Sequence, residues 1–280
     1  MTNNKLSSKL ILYISLFALI VFTLLPYLWL ISSSLKPNDQ IFSTELRWIP
    51  ETFAFENYKW IFSSTGLNFG PLMFNSLFVS IVTALITSIF AATAGYALGR
   101  FHFPGAKIIS MLLLLSQMFQ GPLIMIPWYR MAANMGILDT KLVLILIYGT
   151  STIPIAIWLL MGFFRALPDE LEESAILDGC NKFQVFTKVY LPLVRPGLVA
   201  VILYSFILSW NDYQYALILT SSSESKTIQL GIAELMDSMG VANWGGILAA
   251  GVTTTIPIVI LFAIIQKQLI EGLTAGSVKG

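Results

Sequence analysis

A chain of 280 residues with 56% hydrophobic and 11% charged side chains carries less than half the charge of an ordinary soluble domain, which holds about 25%. So much apolar surface has no place inside a soluble fold of this size, so a bilayer must serve as its solvent. A net charge of +1 argues against nucleic acid as a partner, and one cysteine and one histidine exclude an internal disulfide and a His/Cys metal set.

Charge-free runs mark the elements. Residues 10–35, 60–99, 108–129, 142–164 and 238–266 hold no Asp, Glu, Lys or Arg. Each is long enough for the ~20 apolar residues that cross ~30 Å of hydrocarbon as a helix. A sixth run, 196–211, reaches full length if 198–219 spans with Asp212 near one end. Runs such as 108–115 lack the polar alternation of a barrel strand. The expected fold is all-α and integral to the membrane. It is one transmembrane domain over 1–280, with spans at 10–31, 71–98, 108–126, 142–163, 198–219 and 247–265.

In chain order, Lys5 and Lys9 precede a first span that is too long for a signal-peptide core and has no small-residue cleavage site after it. Segment 32–70 carries Trp48, Pro50, Phe53 and Tyr58, a mixture suited to a membrane interface or a partner. Phe101, His102 and Phe103 before Pro104-Gly105 read as a turn. In the third span Gln117 and Gln120 sit beside Met118 and Phe119; they bond either a neighbouring helix or a polar cargo. Trp128 and Tyr129 read as interface anchors. Asp212, with Tyr213 and Tyr215, lies near the outer end of the fifth span, where a carboxylate costs little; at depth it would mark a polar path. Segment 220–244, with Ser221, Ser222 and Ser223, reads as a flexible loop, and 266–280 as a frayed tail.

Six spans place both termini on one side. Lys5, Lys9, Arg100, Lys107, Arg165, Lys182, Lys188, Arg195, Lys267 and Lys279 share that side, against Lys36, Arg47, Lys59, Arg130, Lys141 and Lys226 on the other. The bias puts the termini in the cytoplasm.

The densest charge lies in segment 165–195. Pro168 fits a first helical turn, and Asp169 and Glu170 favour its positive end. Leu171, Ala175 and Ile176 share one face, and Gly179 permits the left-handed turn that stops the helix. A second helix near 182–190 is expected to end at Pro192. The apolar stripe requires a partner groove, unless the segment is only a linker that solvates its charges. The chain has no Gly-x-x-x-x-Gly-Lys-Ser/Thr loop for nucleotide phosphates.

Glu173-Ser174-Ala175, then Asp178-Gly179, nine residues, and Val189-Tyr190-Leu191-Pro192 resemble the EAA loop of ABC importer permeases. That loop reads Glu-Ala-Ala, three residues, Gly, nine residues, Ile-x-Leu-Pro; here Ser174 and Val189 replace Ala and Ile. Trp48-Ile49-Pro50, Asn57-Tyr58, Trp210-Asn211-Asp212 and the end from Gln266 to Gly280 are similar to the second permease of maltose-type sugar importers.

The resemblance implies a MetI-like permease fold in a bacterial or archaeal cytoplasmic membrane. It implies a paralogous second permease, two ATPase subunits that bind the ATP and Mg, and an extracytoplasmic substrate-binding protein. This chain would hold no cofactor or metal and do no catalysis itself. Its cargo would be an oligosaccharide, glycoside or polyol derivative. Glu173, Ser174, Ala175, Asp178, Gly179, Val189, Leu191 and Pro192 would couple to the ATPase. Glu271, Gly272, Thr274, Ala275, Gly276 and Lys279 would reach between the ATPase subunits, and segment 220–244 toward the binding protein. Gln117, Gln120 and Asp212 are the candidates for a translocation path.

Two other classes compete. An ion-coupled secondary transporter would need ionisable mid-membrane groups and often internal repeats. A membrane enzyme would need paired carboxylates, a metal cluster or a Ser/His set at one depth.

Overall fold

The computed structural model describes residues 3–63, 66–119, 121–238 and 243–277, without the side chains of 3–8, 122, 237–238 and 269–277. The helices are α1 (Asn3–Ser34), α2 (Asn38–Ile41), α3 (Glu56–Phe62), α4 (Phe69–Arg100), α5 (Ala106–Ser116), α6 (Pro122–Asn134), α7 (Lys141–Arg165) and α8 (Glu170–Leu177). They continue as α9 (Lys182–Gln184), α10 (Leu191–Leu193), α11 (Arg195–Asn211), α12 (Gln214–Leu219), α13 (Ile228–Ser238) and α14 (Trp244–Ser277). Strands are absent among the described residues. The chain divides into two compact units, 1–69 with 232–256 and 70–231 with 257–280.

In the first unit α1 is apolar on every side and exposed over 9–28, and only its last turns are covered. A helix of that kind belongs in lipid or against another chain. Its end is fixed by the segment that follows. The Ser34 and Tyr58 hydroxyls bond at 2.7 Å, and the Asn57 amide donates to the carbonyls of Ser34 and Lys36 at 2.9 and 3.0 Å. Trp29 meets Trp48 edge-on, and the Lys36 ammonium lies over Trp29 at 4.2 Å while donating to the Arg47 carbonyl. This is the amphipathic 32–70 segment in folded form.

The second unit is built on α4, α7 and α11. Gly95 and Gly99 bring α4 against α7: a Cβ on Gly95 would sit 3.1 Å from the Leu160 Cβ, and one on Gly99 would sit 3.0 Å from the Phe164 Cβ. Ala91 completes the small-residue stripe, so the two backbones approach as small-xxx-small pairs do in lipid. Gly197 of α11 fits equally closely against Phe163 and Leu160. Thr87 and Thr152 bond across α4 and α7 at 2.7 Å, fully buried.

Among the described residues four helices, α1, α4, α7 and α14, are long and apolar enough to span, and two bent pairs, α5 with α6 and 182–193 with α11, raise the number to six if each pair crosses once. Two expected spans are not single helices. The one at 108–126 breaks: α5 ends at Ser116, a 3-10 turn covers Gln117–Phe119, Gly121 takes φ +86, and Pro122 opens α6. A proline lacks the N–H that would continue the helix, and α5 alone spans only about 16 Å. The one at 198–219 starts earlier, at Arg195, and unwinds at Asp212 before the short α12. At the tail, α14 runs on to Ser277, so 266–277 is helical backbone rather than the frayed end that composition alone suggests.

Candidate functional site

The segment after α7 folds as two helical pieces around a glycine turn. Pro168 and Asp169 precede α8 rather than occupying its first turn, which carries Glu170, Glu172 and Glu173. Those carboxylates complement the positive helix end. Gly179 takes φ +84, the left-handed conformation that only glycine adopts cheaply, and the Cys180 N–H closes the turn onto the Ala175 carbonyl at 3.0 Å. Asn181 and Gln184 then form a reciprocal capping box, both bonds at 2.9 Å.

The second piece does not stop at Pro192. Helix α9 passes into a π-helical stretch, Val185–Tyr190, then α10, and the chain bends only at Val194. The missing N–H of Pro192 leaves the Lys188 carbonyl without its i+4 donor, which accounts for the wide turn before it. The axis turns by 75° into α11.

One arginine clamps this segment. The Arg100 side chain, at the end of α4, is 6% exposed. It pairs with Asp169 at 2.6 Å, donates to the Tyr190 hydroxyl at 2.5 Å and to the Leu167 carbonyl at 2.9 Å, and lies over the Tyr190 ring at 4.8 Å. The Tyr190 hydroxyl donates in turn to Glu172 at 3.1 Å. Burial pushes the Tyr190 phenol up to about 12, against the opposing pull of the Arg100 charge. Below it, Tyr96, Phe164, Phe186 and Tyr190 form an aromatic cluster with centroids 4.9–6.4 Å apart.

The predicted coupling residues divide between two faces. Ala175 is 8% exposed and packs inward with Val185 and Tyr190; Val189 and Leu191 lean on the same core. Glu173, Ser174, Asp178, Gly179 and Pro192 are exposed. Leu177, 88% exposed, and Phe183, 73% exposed, present bare apolar side chains on that outer face.

The candidate path residues are not brought together. The Asp212 carboxylate accepts from the Tyr148 hydroxyl at 2.8 Å and from the backbone N–H groups of Tyr215 and Ala216 at 3.1 and 3.3 Å, so it caps α12. Gln117 lies in the 3-10 turn after α5, and Gln120 is outside the described residues. Glu271, Gly272, Thr274, Ala275 and Gly276 fall on the last turns of α14, while Lys279 lies outside the described residues. Among the described residues no three His, Cys, Asp or Glu side chains gather as a metal set.

Sequence reasoning missed Arg100 and Tyr190 as a clamp, although Tyr190 stands inside the recognised motif. It also missed Asp139. That residue, at φ +58 between α6 and α7, accepts from the N–H groups of Ser221 and Ser222 at 2.8 and 2.9 Å and from the hydroxyls of Ser222 and Ser225. The Ser221 and Ser222 amides, with Ser225, hold its carboxyl well below the usual range. Asn75 of α4 donates to the Lys226 carbonyl at 3.0 Å, and Ser76 accepts from the Ile228 N–H. The base of the loop after α12 is thus pinned, not flexible.

A family profile described as the inner membrane component of binding-protein-dependent transport systems matches residues 91–274. The trehalose transport system permease protein SugB of Mycobacterium tuberculosis is 38% identical over 260 residues, 92% of this chain and 93% of that one. The trehalose/maltose transport system permease protein MalG of Thermococcus litoralis is 30% identical over 277 residues, 99% of each chain. Among solved structures, a chain of a bacterial ABC transporter involved in the import of the acidic polysaccharide alginate matches with a TM-score of 0.80 at 22% identity, covering 95% of this chain and 98% of that one.

Proposed function

The chain belongs to the family of inner membrane components of binding-protein-dependent transport systems, and on that premise we propose that it is a permease subunit of an ATP-driven carbohydrate importer. Relatives that match it over nearly their whole length serve trehalose and trehalose/maltose systems, which supports a cargo of oligosaccharide, glycoside or polyol-derivative class. The working complex contains a paralogous second permease, two ATPase subunits that bind ATP and Mg, and an extracytoplasmic binding protein. Both termini and the α8 segment face the cytoplasm, in keeping with the Lys and Arg bias.

One observation carries the reading: a loop rigidly clamped to a transmembrane helix leaves Leu177 and Phe183 bare. Apolar side chains so exposed on a fixed support fit a groove on another protein. In this reading the ATPase receives that face, with Glu173 meeting a basic group. Closure of the ATPases pushes α8, Arg100 passes the push to α4, and the second unit shifts between inward- and outward-open states. The end of α14 reaches between the ATPases.

The test is transport by the purified complex in proteoliposomes. Uptake of a labelled oligosaccharide should require the binding protein, ATP and this chain together. Uptake that persists without ATP but follows an ion gradient would sink the proposal. Binding of a sugar and glycoside panel to the cognate binding protein identifies the cargo.

A further inference from the structure

A groove of about 870 Å³ opens beside the Arg100 clamp, between the turn after α4, the start of α5 and the last turns of α7. Its charged end holds Lys107, Arg165 and His102. Asp169 also lines it, but that carboxylate is committed to Arg100. Arg165 is held in place by donating to the Leu98 carbonyl at 3.2 Å, which leaves most of its donor fork available. Among the described residues neither Lys107 nor Arg165 has a carboxylate partner. Counting Arg100, Lys107 and Arg165 against the two carboxylates paired with Arg100, Asp169 and Glu172, leaves an excess of one positive charge.

The other end of the groove is apolar. Ser110 and Met161 form its floor, and Trp158, 49% exposed, its far wall. Trp158 lies two turns before Arg165 on α7, so the groove extends ~10 Å from the charged rim toward the bilayer core. Ile108, Met111 and Leu112 of α5 continue an exposed apolar surface nearby. Cations at headgroup depth above an apolar channel along two spans are complementary to one amphiphile.

We propose that this groove is a binding site for an anionic glycerophospholipid, with Lys107 and Arg165 on its phosphate and an acyl chain running past Trp158. The ligand neutralises the charge excess beside the clamp. It also fills the α5–α7 groove with hydrocarbon, and so steadies the support on which α8 stands.

The test uses the assembled importer in nanodiscs of equal phosphatidylcholine and phosphatidylglycerol, with retained lipid counted by native mass spectrometry. The wild type should retain phosphatidylglycerol preferentially. K107Q should lower that preference roughly fivefold, and K107Q with R165Q by roughly 25-fold, on the usual gain per cation near an anionic surface. R165K should keep most of it, which separates charge from fold. No preference in the wild type, or an unchanged preference in K107Q, overturns the proposal. So does displacement of the lipid by inorganic phosphate, which would make the site one for a free anion. A preference seen in the isolated chain but lost on assembly would show that a protein segment covers the groove, and equally defeats it.

Discussion

The two ends of the second unit are both closed by a charged side chain, in opposite ways. At one end a buried cation, Arg100, reaches out to carboxylates on a loop; Asp169 is 86% exposed and Glu172 only 23%. At the other end a carboxylate, Asp139, is wrapped by serine amides and hydroxyls and carries no ion pair among the described residues. A separate apolar core lies beneath each, around Phe164 and Tyr190 at the first end and around Tyr148 and Leu219 at the second. The Asp139 end binds loop to loop and leaves little over. The Arg100 end binds a loop to a spanning helix and leaves Leu177 and Phe183 uncovered. Under the proposed coupling role, that contrast separates an anchor from a lever.

Breaking the lever should cost most. Arg100→Ala leaves the mostly covered Glu172 carboxylate with only the Tyr190 hydroxyl as partner and removes the link from α8 to α4. Losing one partner of a buried pair costs ~3–5 kcal/mol, and the exposure of Asp169 reduces this to about 2–3. Uptake should fall more than tenfold, with a lower melting temperature in detergent. Arg100→Lys, which keeps charge but not the donor fork, should recover part of the stability and little of the uptake.

Breaking the anchor should cost less. Asp139→Ala leaves the half-buried Ser222 N–H without its acceptor and leaves the Ser222 and Ser225 hydroxyls only each other and the Ser222 carbonyl, at about 1–3 kcal/mol. Stability should drop while ATPase stimulation per folded complex is preserved; a selective loss of stimulation would erase the distinction between the two ends.

Titration sharpens the comparison. The Asp139 carboxyl is depressed in the folded chain from its ordinary value of 3.8, so its contribution is present above that value and lost as pH falls below it. The Tyr190 phenol is raised from 10.0 to about 12, so its contribution is present below pH 10 and lost as pH climbs toward 12. The anchor therefore weakens in acid and the lever in alkali. Unfolding curves of Asp139→Asn and Tyr190→Phe should each lose only the matching limb.

The smallest stability effect belongs to the exposed face. Leu177→Ala should leave melting within ~0.5 kcal/mol, as most surface changes do. Its effect should appear only in ATPase stimulation.

Much of this was legible in the sequence because lipid imposes a simple rule: long charge-free helices, with their backbones satisfied internally. The spans at 71–98 and 142–163 lie inside α4 and α7 with little change at either end. The breaks were not, because Gly121-Pro122 and the Asp212 cap act locally inside runs that hydropathy averages over. Gly179 and the Asn181–Gln184 box declare themselves through short-range chemistry. Arg100 counts only as one more positive charge until folding sets it beside Tyr190, 90 positions away. Asp139 and Ser221 are 82 apart, beyond any local pattern. Ala175 belongs to a shared motif, yet it faces its own core, and the outward surface falls to Leu177 and Phe183. The Ala91, Gly95, Gly99 stripe was the signal available and unread, since its four-residue spacing marks a close helix crossing.

The most direct test of the lever is site-specific crosslinking in intact membranes, with Cys180 replaced by serine and single cysteines at 175, 177 or 183. Cysteines replacing Leu177 and Phe183 should capture an ATPase subunit, more strongly when nucleotide is trapped, while one replacing buried Ala175 should not. Capture of no ATPase from either exposed position, with the complex intact, would contradict the account.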